Sequence, residues 1–520
     1  MSHDLNHPTS TRRTLETLLA SLKPYVGFDW VRPAHFETPI DITSITSDSR
    51  AVSPGGVFVA LSGVNTDGHQ YLQQAVQSGA SLLVCDKTVL AQRTSLLNDL
   101  NLKNSAVIEV DNTYMALAAL SAVFYGEPAK QLTMVGVTGT NGKTTVTHLV
   151  EQMLLDWHKN AAVIGTLGIK TAASQQYETT GHTTPMAPEL QKTLSDLVSR
   201  KTDYVVMEVS SHALDQDRTY GCTFQVAVVT NVTQDHLDYH KTMARYCEAK
   251  TRLFSALAPG ASAVINMDDE WAQEFVKATP NEVCQWTYSI DDPKASVRAT
   301  HVEFGIDGSQ FHVQTPVGQA DVNLKIAGRF SIYNALAALC AGLALGIPLE
   351  NVVSSLEKVK GVRGRFEVVA SKPYVIVDYA HTPDGLENVL SAAKRVTPEG
   401  ARLIAVFGCG GDRDATKRPK MGAIVERIAD LLVVTSDNPR SEDPQQIITD
   451  ILSGIQRFDS SRMIVNADRE EAIHRAIDLA GPEDIIVIAG KGHEDYQILA
   501  DRVIHFDDRE VVQAYVAVAR

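Results

Sequence analysis

The decapeptide "GVTGTNGKTT" at 136–145 sits between an apolar run, "LTMV", and a helix-like stretch, "VTHLVEQMLLDW". An apolar strand that turns through glycines into a helix is a phosphate-binding arrangement. Gly139 and Gly142 let backbone N–H groups turn inward, Lys143 adds a cation, Thr144 offers a hydroxyl to Mg2+, and the helix presents its positive end. The spacing is not the Walker A pattern, which would need a glycine where Val137 stands. The chain is thereby committed to an α/β sheet with a nucleotide phosphate beyond the C-terminal ends of its strands, held by a shorter loop.

Around that loop the sequence alternates strands and helices. Apolar runs "LTMVGVTG", "AAVIGTLG", "DYVVMEVS", "QVAVVTNV" and "ASAVINMD" are separated mostly by helix-like segments, which predicts a mostly parallel, doubly wound sheet. Before it, "GGVFVAL" and "ASLLVCD" alternate with "YLQQAVQSG" in a small α/β block ending near "YGEPAK". After it, "YVIVDYA", "RLIAVFGCGG", "DLLVVTSDN" and "DIIVIAGKG" form another, and "GVRGR" and "SKP" mark the hinge. Three domains are expected, 1–125, 126–361 and 362–520, which suits a chain of 520 residues.

Composition narrows the partners. With 47 Lys plus Arg against 62 Asp plus Glu the net charge is −15, so nucleic acid and anionic membranes are not expected as partners, and an anionic substrate must be met by local basic groups. The six cysteines show no CxxC or metal-ligand spacing, and the N-terminal "MSHDLNHPTSTRRTLETLLASL" lacks the apolar core of a signal peptide, so a cytoplasmic protein is expected. The most membrane-like stretch, "SIYNALAALCAGLALGIPL", reads as a buried helix.

Other strand ends add chemistry. "YVVMEV" delivers Glu208, Ser210, Ser211 and His212; "QDHLDYH" carries Asp235 and His236; "YCEAK" places Lys250 on a helix. A carboxylate and an imidazole beside a threonine-bearing phosphate loop can build an Mg2+ site. "GCGGDRD" fails as a dinucleotide fingerprint, because the third glycine position counted from Gly408 is Arg413.

Together "GTNGKTT", "EVSSHAL", "TNVTQDHLDYH", "YCEAK" and "DYAHTPD" resemble the Mur ligases, the ATP-dependent amino-acid ligases of peptidoglycan precursor synthesis. The resemblance covers nearly the whole chain from about residue 40 and implies a central P-loop-type ATP-binding sheet flanked by an N-terminal UDP-binding α/β domain and a C-terminal Rossmann-like α/β domain. It assigns Gly139, Thr140, Asn141, Gly142, Lys143, Thr144 and Thr145 to the ATP phosphates, and Asn266, Asn334, Arg365, Asp378 and His381 to the rest of the nucleotide. Thr144 and Glu208 would hold one Mg2+, and His236 and Lys250 another. Lys250 would be carboxylated on its amine, replacing an ammonium by an anion able to bind metal. The catalytic set is then Lys143, Glu208, His236 and Lys250. Two positions depart from the family pattern: Ser331, where asparagine is frequent, and Arg363, where proline is common.

For the nucleotide-sugar substrate, "SDSR" and "GVNTDGHQY" resemble uridine-binding loops and point to Ser49 and His69, while Thr183, Thr184, Ser210, Gln216 and Arg218 match contacts to the muramoyl-dipeptide. In "SDNPRSEDP" the resemblance extends to D-N-P-R, which goes with selection of meso-diaminopimelate. Asp437, Asn438, Arg440, Arg413, Gly490 and Glu494 would face that amino acid, the two arginines holding its distal carboxylate. The implied reaction, in cell-wall biogenesis and hence cell shape and division, adds meso-diaminopimelate to the γ-carboxylate of the D-glutamyl residue of UDP-N-acetylmuramoyl-L-alanyl-D-glutamate through an acyl phosphate, on a monomeric enzyme. Alternatives are a lysine-adding or folylpolyglutamate-type ligase and, from another class, a P-loop ATPase coupled to partner binding, in which D-N-P-R would have no use.

Overall fold

The structure is a computed structural model that describes residues 13–32, 40–63, 66–93, 95–98, 100–305, 308–456 and 461–518. The first twelve positions of the N-terminal segment, and Val64 and Asn65 of the "GVNTDGHQY" loop, lie outside the described residues. The chain forms two compact units, Met1–Val135 with Lys159–Gln225, and Gly136–His158 with Val226–Arg520.

In the first unit a five-stranded sheet runs in the order Asp29–Arg32, Ala106–Val110, Leu82–Asp86, Val57–Val59, Ile45–Thr46. All its pairings are parallel except that of the outermost Asp29–Arg32. Its inner strands are apolar without alternation because helices cover both faces: Leu82 and Val84 pack with Leu117 and Leu120, Leu83 and Cys85 with Leu72 and Ala75. The same unit contains Tyr204–Glu208, parallel to Ala161–Gly165, and a ribbon through Gly168–Thr171 and Ser174–Glu178 whose pairings are antiparallel. The sequence reading of a mostly parallel sheet did not include these ribbon strands. Only Thr166 and Leu167 separate the first two ribbon strands, too short a connection for a crossover, and Gly168 at φ +112 makes the turn.

The second unit opens with the phosphate loop and the helix Lys143–Asp156. Phe224–Val229, Ser262–Asn266, Cys284–Ser289 and Val297–Gly305 pair in succession, all parallel, and an antiparallel meander through Gly308–Thr315 and Gly318–Leu324 follows. This meander, like the ribbon, was not among the strands that the sequence singled out. The alanine-rich segment forms the helix Arg329–Ala344, buried along most of its length against Lys143–Asp156 and neighbouring strands. Among the described residues no helix is long and apolar enough to cross a membrane. A helix apolar on every side is one surrounded by protein.

A six-stranded sheet completes the unit, in the order Glu367–Ser371, Tyr374–Asp378, Ile485–Ala489, Leu403–Phe407, Leu431–Val434, Met463–Val465. Only the first pair is antiparallel. Alternate residues feed two cores. Ala405, Phe407, Leu432 and Val487 face the helices Pro383–Val396, Arg418–Ile428 and Pro444–Leu452, while Ile404, Val406, Val433 and Ile488 face Arg469–Leu479 and Asp508–Val518. With both faces covered, polar ligands are left to the C-terminal strand ends.

Leu336 in the Arg329–Ala344 helix is fully buried, so Leu336→Ala should cost about 2–5 kcal/mol, read as a lower urea midpoint. Val317→Ala, at a position 62% exposed, should stay within about 0.5 kcal/mol of wild type. Equal shifts for the two variants would contradict the buried placement of that helix.

Candidate active site

The phosphate loop is shaped by contacts that only glycine permits. A Cβ on Gly139, whose φ is +144, would lie 1.9 Å from Thr230 Oγ1, and one on Gly142, at φ +86, would lie 2.3 Å from Asn334 Oδ1. Thr140 N donates to Asn231 O at 2.8 Å and Asn141 N to Asn231 Oδ1 at 2.9 Å, fixing the turn to the end of the neighbouring strand. Lys143 curls back so that Nζ reaches Gly139 O at 2.9 Å and Thr140 O at 2.8 Å. Arg365 crosses from the C-terminal sheet and its Nη2 donates to Thr144 Oγ1 at 3.0 Å.

Beside the loop is a cavity of about 410 Å³. Asn141, Gly142, Thr145, Asn266, Asn334, Arg365 and Asp378 line it; Gly139, Thr140, Lys143, Thr144 and His381 do not. Sequence reasoning missed Phe330, Tyr333, Tyr379 and Asp384 in its wall. Tyr379 lies inside the recognised "DYAHTPD" and carries the Arg365 guanidinium 4.5 Å above its ring, whereas Asp384, at the start of the next helix, accepts from Asn141 Nδ2 at 2.8 Å. Ser331 is turned away, donating to Ala327 O, and Arg363 reaches Asp507 at 3.5 Å, so neither departure from the family pattern faces the cavity.

Next to the loop lies a charged knot. Asp235 holds His236 Nε2 at 3.3 Å and His381 Nε2 at 3.9 Å. Burial pushes its carboxyl up, but His236, His381 and Lys417 outweigh that and hold it well below the usual carboxylate range. Burial and Lys417 bring His381 down to about 4, so its ring is neutral at physiological pH. Lys250, 1% exposed, donates to the same Gly139 oxygen as Lys143, at 2.9 Å, with its Nζ 4.4 Å from the Tyr246 ring centre. Burial first, and then Lys143, lower its pKa far below that of a free lysine.

These residues divide as metal ligands. Thr144 and Glu208 present hard oxygen donors that suit Mg2+. Lys250 in its ammonium form does not fit, and only a carboxylated Lys250 would join His236 as a ligand. Among the described residues no group of three His, Cys, Asp or Glu side chains gathers in a metal-binding arrangement.

In the first unit, Glu208 at the end of its strand is 1% exposed and accepts from Thr166 N at 2.9 Å and Thr166 Oγ1 at 3.0 Å. The candidates for the dipeptide part of the substrate meet there. Thr183 Oγ1 touches Thr166 Oγ1 at 3.0 Å, Thr184 Oγ1 donates to Glu208 O at 2.8 Å and accepts from Ser210 N at 3.0 Å. Arg218 is held by Thr184 O at 2.9 Å and by Gln216 Oε1 at 2.7 Å. Ser49 Oγ donates to Gln74 Oε1 at 2.9 Å. His69 departs from expectation: its Nδ1 meets Asp67 at 2.7 Å and its Nε2 accepts from Asp86 N at 3.0 Å. With both ring nitrogens used and 1% exposure, it clasps its own loop and has no polar atom left for a nucleotide.

The amino-acid candidates lie beyond three strand ends of the C-terminal sheet, with Asp437, Asn438, Arg440, Gly490 and Glu494 closer together than Arg413. Asn438 Nδ2 donates to Glu494 Oε2 at 2.8 Å, and Gly490 is packed so closely that a Cβ would lie 3.1 Å from Asp437 Oδ2. Arg440 adopts φ +54 and donates from Nη1 to Gly411 O at 2.8 Å, lying along the "GCGGDRD" turn. Arg413 in that turn is exposed and its Nη1 donates to Asp412 O at 2.9 Å. Lys491, which the sequence reading passed over, is fully buried, 3.1 Å from Asn438 Oδ1, 3.4 Å from Glu494 Oε2 and 3.8 Å from Asp437 Oδ1. Burial and the Asp437 charge raise the Glu494 pKa, and Lys491 opposes them.

His493, in the same turn, packs against Tyr379 with ring centres 4.9 Å apart, and burial together with Arg365, Arg363 and Arg509 lowers its pKa to about 3. Its unfolded value is about 6.5, so the unfolded chain binds the extra proton between the two. The contribution of neutral His493 is therefore intact above about pH 6.5 and lost progressively as pH falls toward 3. On acidification from about pH 7 to about pH 5, His493→Gln should lose less melting temperature than wild type; identical losses would show that His493 does not carry this charge penalty.

The chain matches three family models: "Mur ligase family, catalytic domain" over 41–125, "Mur ligase middle domain" over 137–342 and "Mur ligase, glutamate ligase domain" over 364–492. It is 45% identical over 508 residues to the UDP-N-acetylmuramoyl-L-alanyl-D-glutamate--2,6-diaminopimelate ligase of Synechococcus elongatus, covering 97% of this chain and 99% of that one. The protein of the same name from Bacillus velezensis is 44% identical over 479 residues, 91% of this chain and 93% of its own. A solved structure of UDP-N-acetylmuramoyl-L-alanyl-D-glutamate--2,6-diaminopimelate ligase superposes with a TM-score of 0.65 at 34% identity, covering 94% of this chain and 98% of that one. The three-domain α/β architecture with three mixed sheets, the phosphate loop and the matches along nearly the whole length agree: the chain belongs to the Mur ligase family.

Proposed function

We propose that this chain is the ATP-dependent ligase that joins meso-diaminopimelate to UDP-N-acetylmuramoyl-L-alanyl-D-glutamate in peptidoglycan precursor synthesis, acting as a cytoplasmic monomer of three domains, 1–125, 126–361 and 362–520. The observation that supports the substrate assignment is the strand-end cluster in which Asn438, Asp437 and Glu494 gather around Lys491, with Arg440 bonded to the adjoining Gly411 turn. An amino acid bearing a second carboxylate and a second ammonium matches that mixture of a cation and carboxylates; lysine lacks the carboxylate and leaves Arg440 unmatched. The names of the relatives from Synechococcus elongatus and Bacillus velezensis support the same reading.

In this reading ATP occupies the cavity beside the loop, and its γ-phosphoryl group passes to the γ-carboxylate of the D-glutamyl residue, giving an acyl phosphate and ADP. The amine of meso-diaminopimelate attacks the acyl carbon, phosphate leaves, and the amine proton is lost to solvent or to a nearby base. Lys143 exchanges its two carbonyl partners for phosphate oxygens, and Arg365 supplies a second cation from the C-terminal sheet. Thr183, Thr184, Ser210, Gln216 and Arg218 orient the dipeptide near Glu208, and Ser49 belongs to the uridine end. Thr144 and Glu208 each offer an oxygen donor that Mg2+ would take, and His236 with a carboxylated Lys250 would hold a metal ion that offsets phosphate charge. No side chain has to act as a covalent nucleophile.

Phosphate release should require both the nucleotide-sugar dipeptide and meso-diaminopimelate, with lysine a poor replacement; full turnover with ATP alone would overturn the assignment. Arg440→Ala should raise the KM for meso-diaminopimelate and leave those for ATP and the UDP substrate within about twofold. The loss of a desolvated charge pair is about 2–5 kcal/mol, which is roughly thirtyfold to several thousandfold in apparent affinity. An unchanged KM would remove Arg440 from the specificity site.

Lys250→Ala should lose most activity and regain part of it with short-chain carboxylates, which can fill the vacated anionic position. Near wild-type activity in Lys250→Ala would exclude the carboxylated lysine.

A further inference from the structure

The strand-end cluster just described is tied to a buried ion pair that no motif signals. Arg469 is the first residue of the helix Arg469–Leu479 and Asp508 the first of Asp508–Val518, and both side chains are completely shielded from solvent. The guanidinium grips the carboxylate with two parallel bonds, Nε to Oδ1 and Nη2 to Oδ2, each 2.8 Å. Its other contacts go elsewhere: Nη1 donates to Ser436 O at 3.0 Å and Nη2 to Ala489 O at 3.1 Å. Ser436 and Ala489 are the residues immediately before Asp437 and Gly490.

Their strands, Leu431–Val434 and Ile485–Ala489, are not neighbours; Leu403–Phe407 lies between them. The arginine fork therefore spans the width of a strand and ties together the Asp437–Arg440 and Gly490–Glu494 segments. The two segments then touch. Asp437 Oδ2 would be 3.1 Å from a Cβ at Gly490, and Asn438 bonds Glu494. The donors that the carboxylate leaves over go to carbonyls at the ends of two different strands, so one guanidinium fixes both segments at once. Burying such a pair is costly, and the cost is met when every polar atom of the fork is engaged.

We infer that Arg469 and Asp508 are positioning residues for the amino-acid site, setting the separation between the Asp437–Arg440 loop and the Gly490–Glu494 turn, and so the affinity and selectivity for the diamino acid. This rests on the substrate reading proposed above. Lysine at 469 keeps the charge but loses the planar fork, so it cannot hold the carboxylate and both carbonyls together.

The test is steady-state kinetics on full-length Arg469→Lys, with each substrate varied in turn and a melting curve beside it. A second variant, the neutral Arg469→Gln/Asp508→Asn pair, leaves no orphaned charge if the lysine variant fails to fold. The expected result is a KM for meso-diaminopimelate raised at least tenfold, with those for ATP and the UDP substrate within twofold of wild type and a melting curve that remains cooperative. Unchanged KM for meso-diaminopimelate, or all three constants rising together, overturns the positioning role. A wild type that does not turn over meso-diaminopimelate refutes the substrate reading instead, so the two failures are told apart.

Discussion

Two lysines that donate to one carbonyl oxygen set the terms for the rest of the centre. Lys143 and Lys250 both reach Gly139 O, and Lys250 is buried, with the ring of Tyr246 beneath it. Desolvation weighs most against the Lys250 charge, and the like charge of Lys143 adds to it. Asp235, held firmly ionised beside His236 and His381, opposes the lowering of the Lys250 pKa. The arrangement leaves the loop ready for anions: phosphate oxygens are better partners for Lys143 than the two carbonyls that it grips here.

Close backbone packing gives the centre its shape. Gly139 and Gly142 are pressed against Thr230 and Asn334, and farther on Gly364 and Gly492 meet so tightly that a Cβ on Gly364 would lie 2.2 Å from His493 N. The first contact shapes the phosphate loop. The second holds the segment that carries Arg365 against the turn that carries Glu494, so the residue reaching Thr144 and a residue proposed to face the amino acid share one piece of scaffold. Rigid strand ends bearing mobile substrates are the general device of open α/β sheets.

Much of this was legible from the sequence, and for physical reasons. The strand, glycine turn and helix of the phosphate loop are local, and so is the apolar pattern that made Arg329–Ala344 a buried helix. The antiparallel ribbons were not read, because short polar strands such as "GQADVNL" do not reveal which way they pair. Lys491 stands between two glycines, and a lysine just past a strand end and three residues before Glu494 was the available signal. Arg469 and Asp508 are 39 positions apart, and nothing local marks either one as half of a pair. His69 shows the converse: a histidine inside a polar loop motif looks like a ligand until both nitrogens are found satisfied by its own domain.

The central claim is that the C-terminal strand ends select a diamino acid with a second carboxylate. Its most direct test is competition: enzyme, ATP, Mg2+ and UDP-N-acetylmuramoyl-L-alanyl-D-glutamate are incubated with equal concentrations of meso-diaminopimelate and lysine, and the nucleotide product is identified by mass spectrometry. The account requires the meso-diaminopimelate adduct to dominate in wild type. A product mixture led by the lysine adduct, or no amino-acid adduct at all, would contradict it.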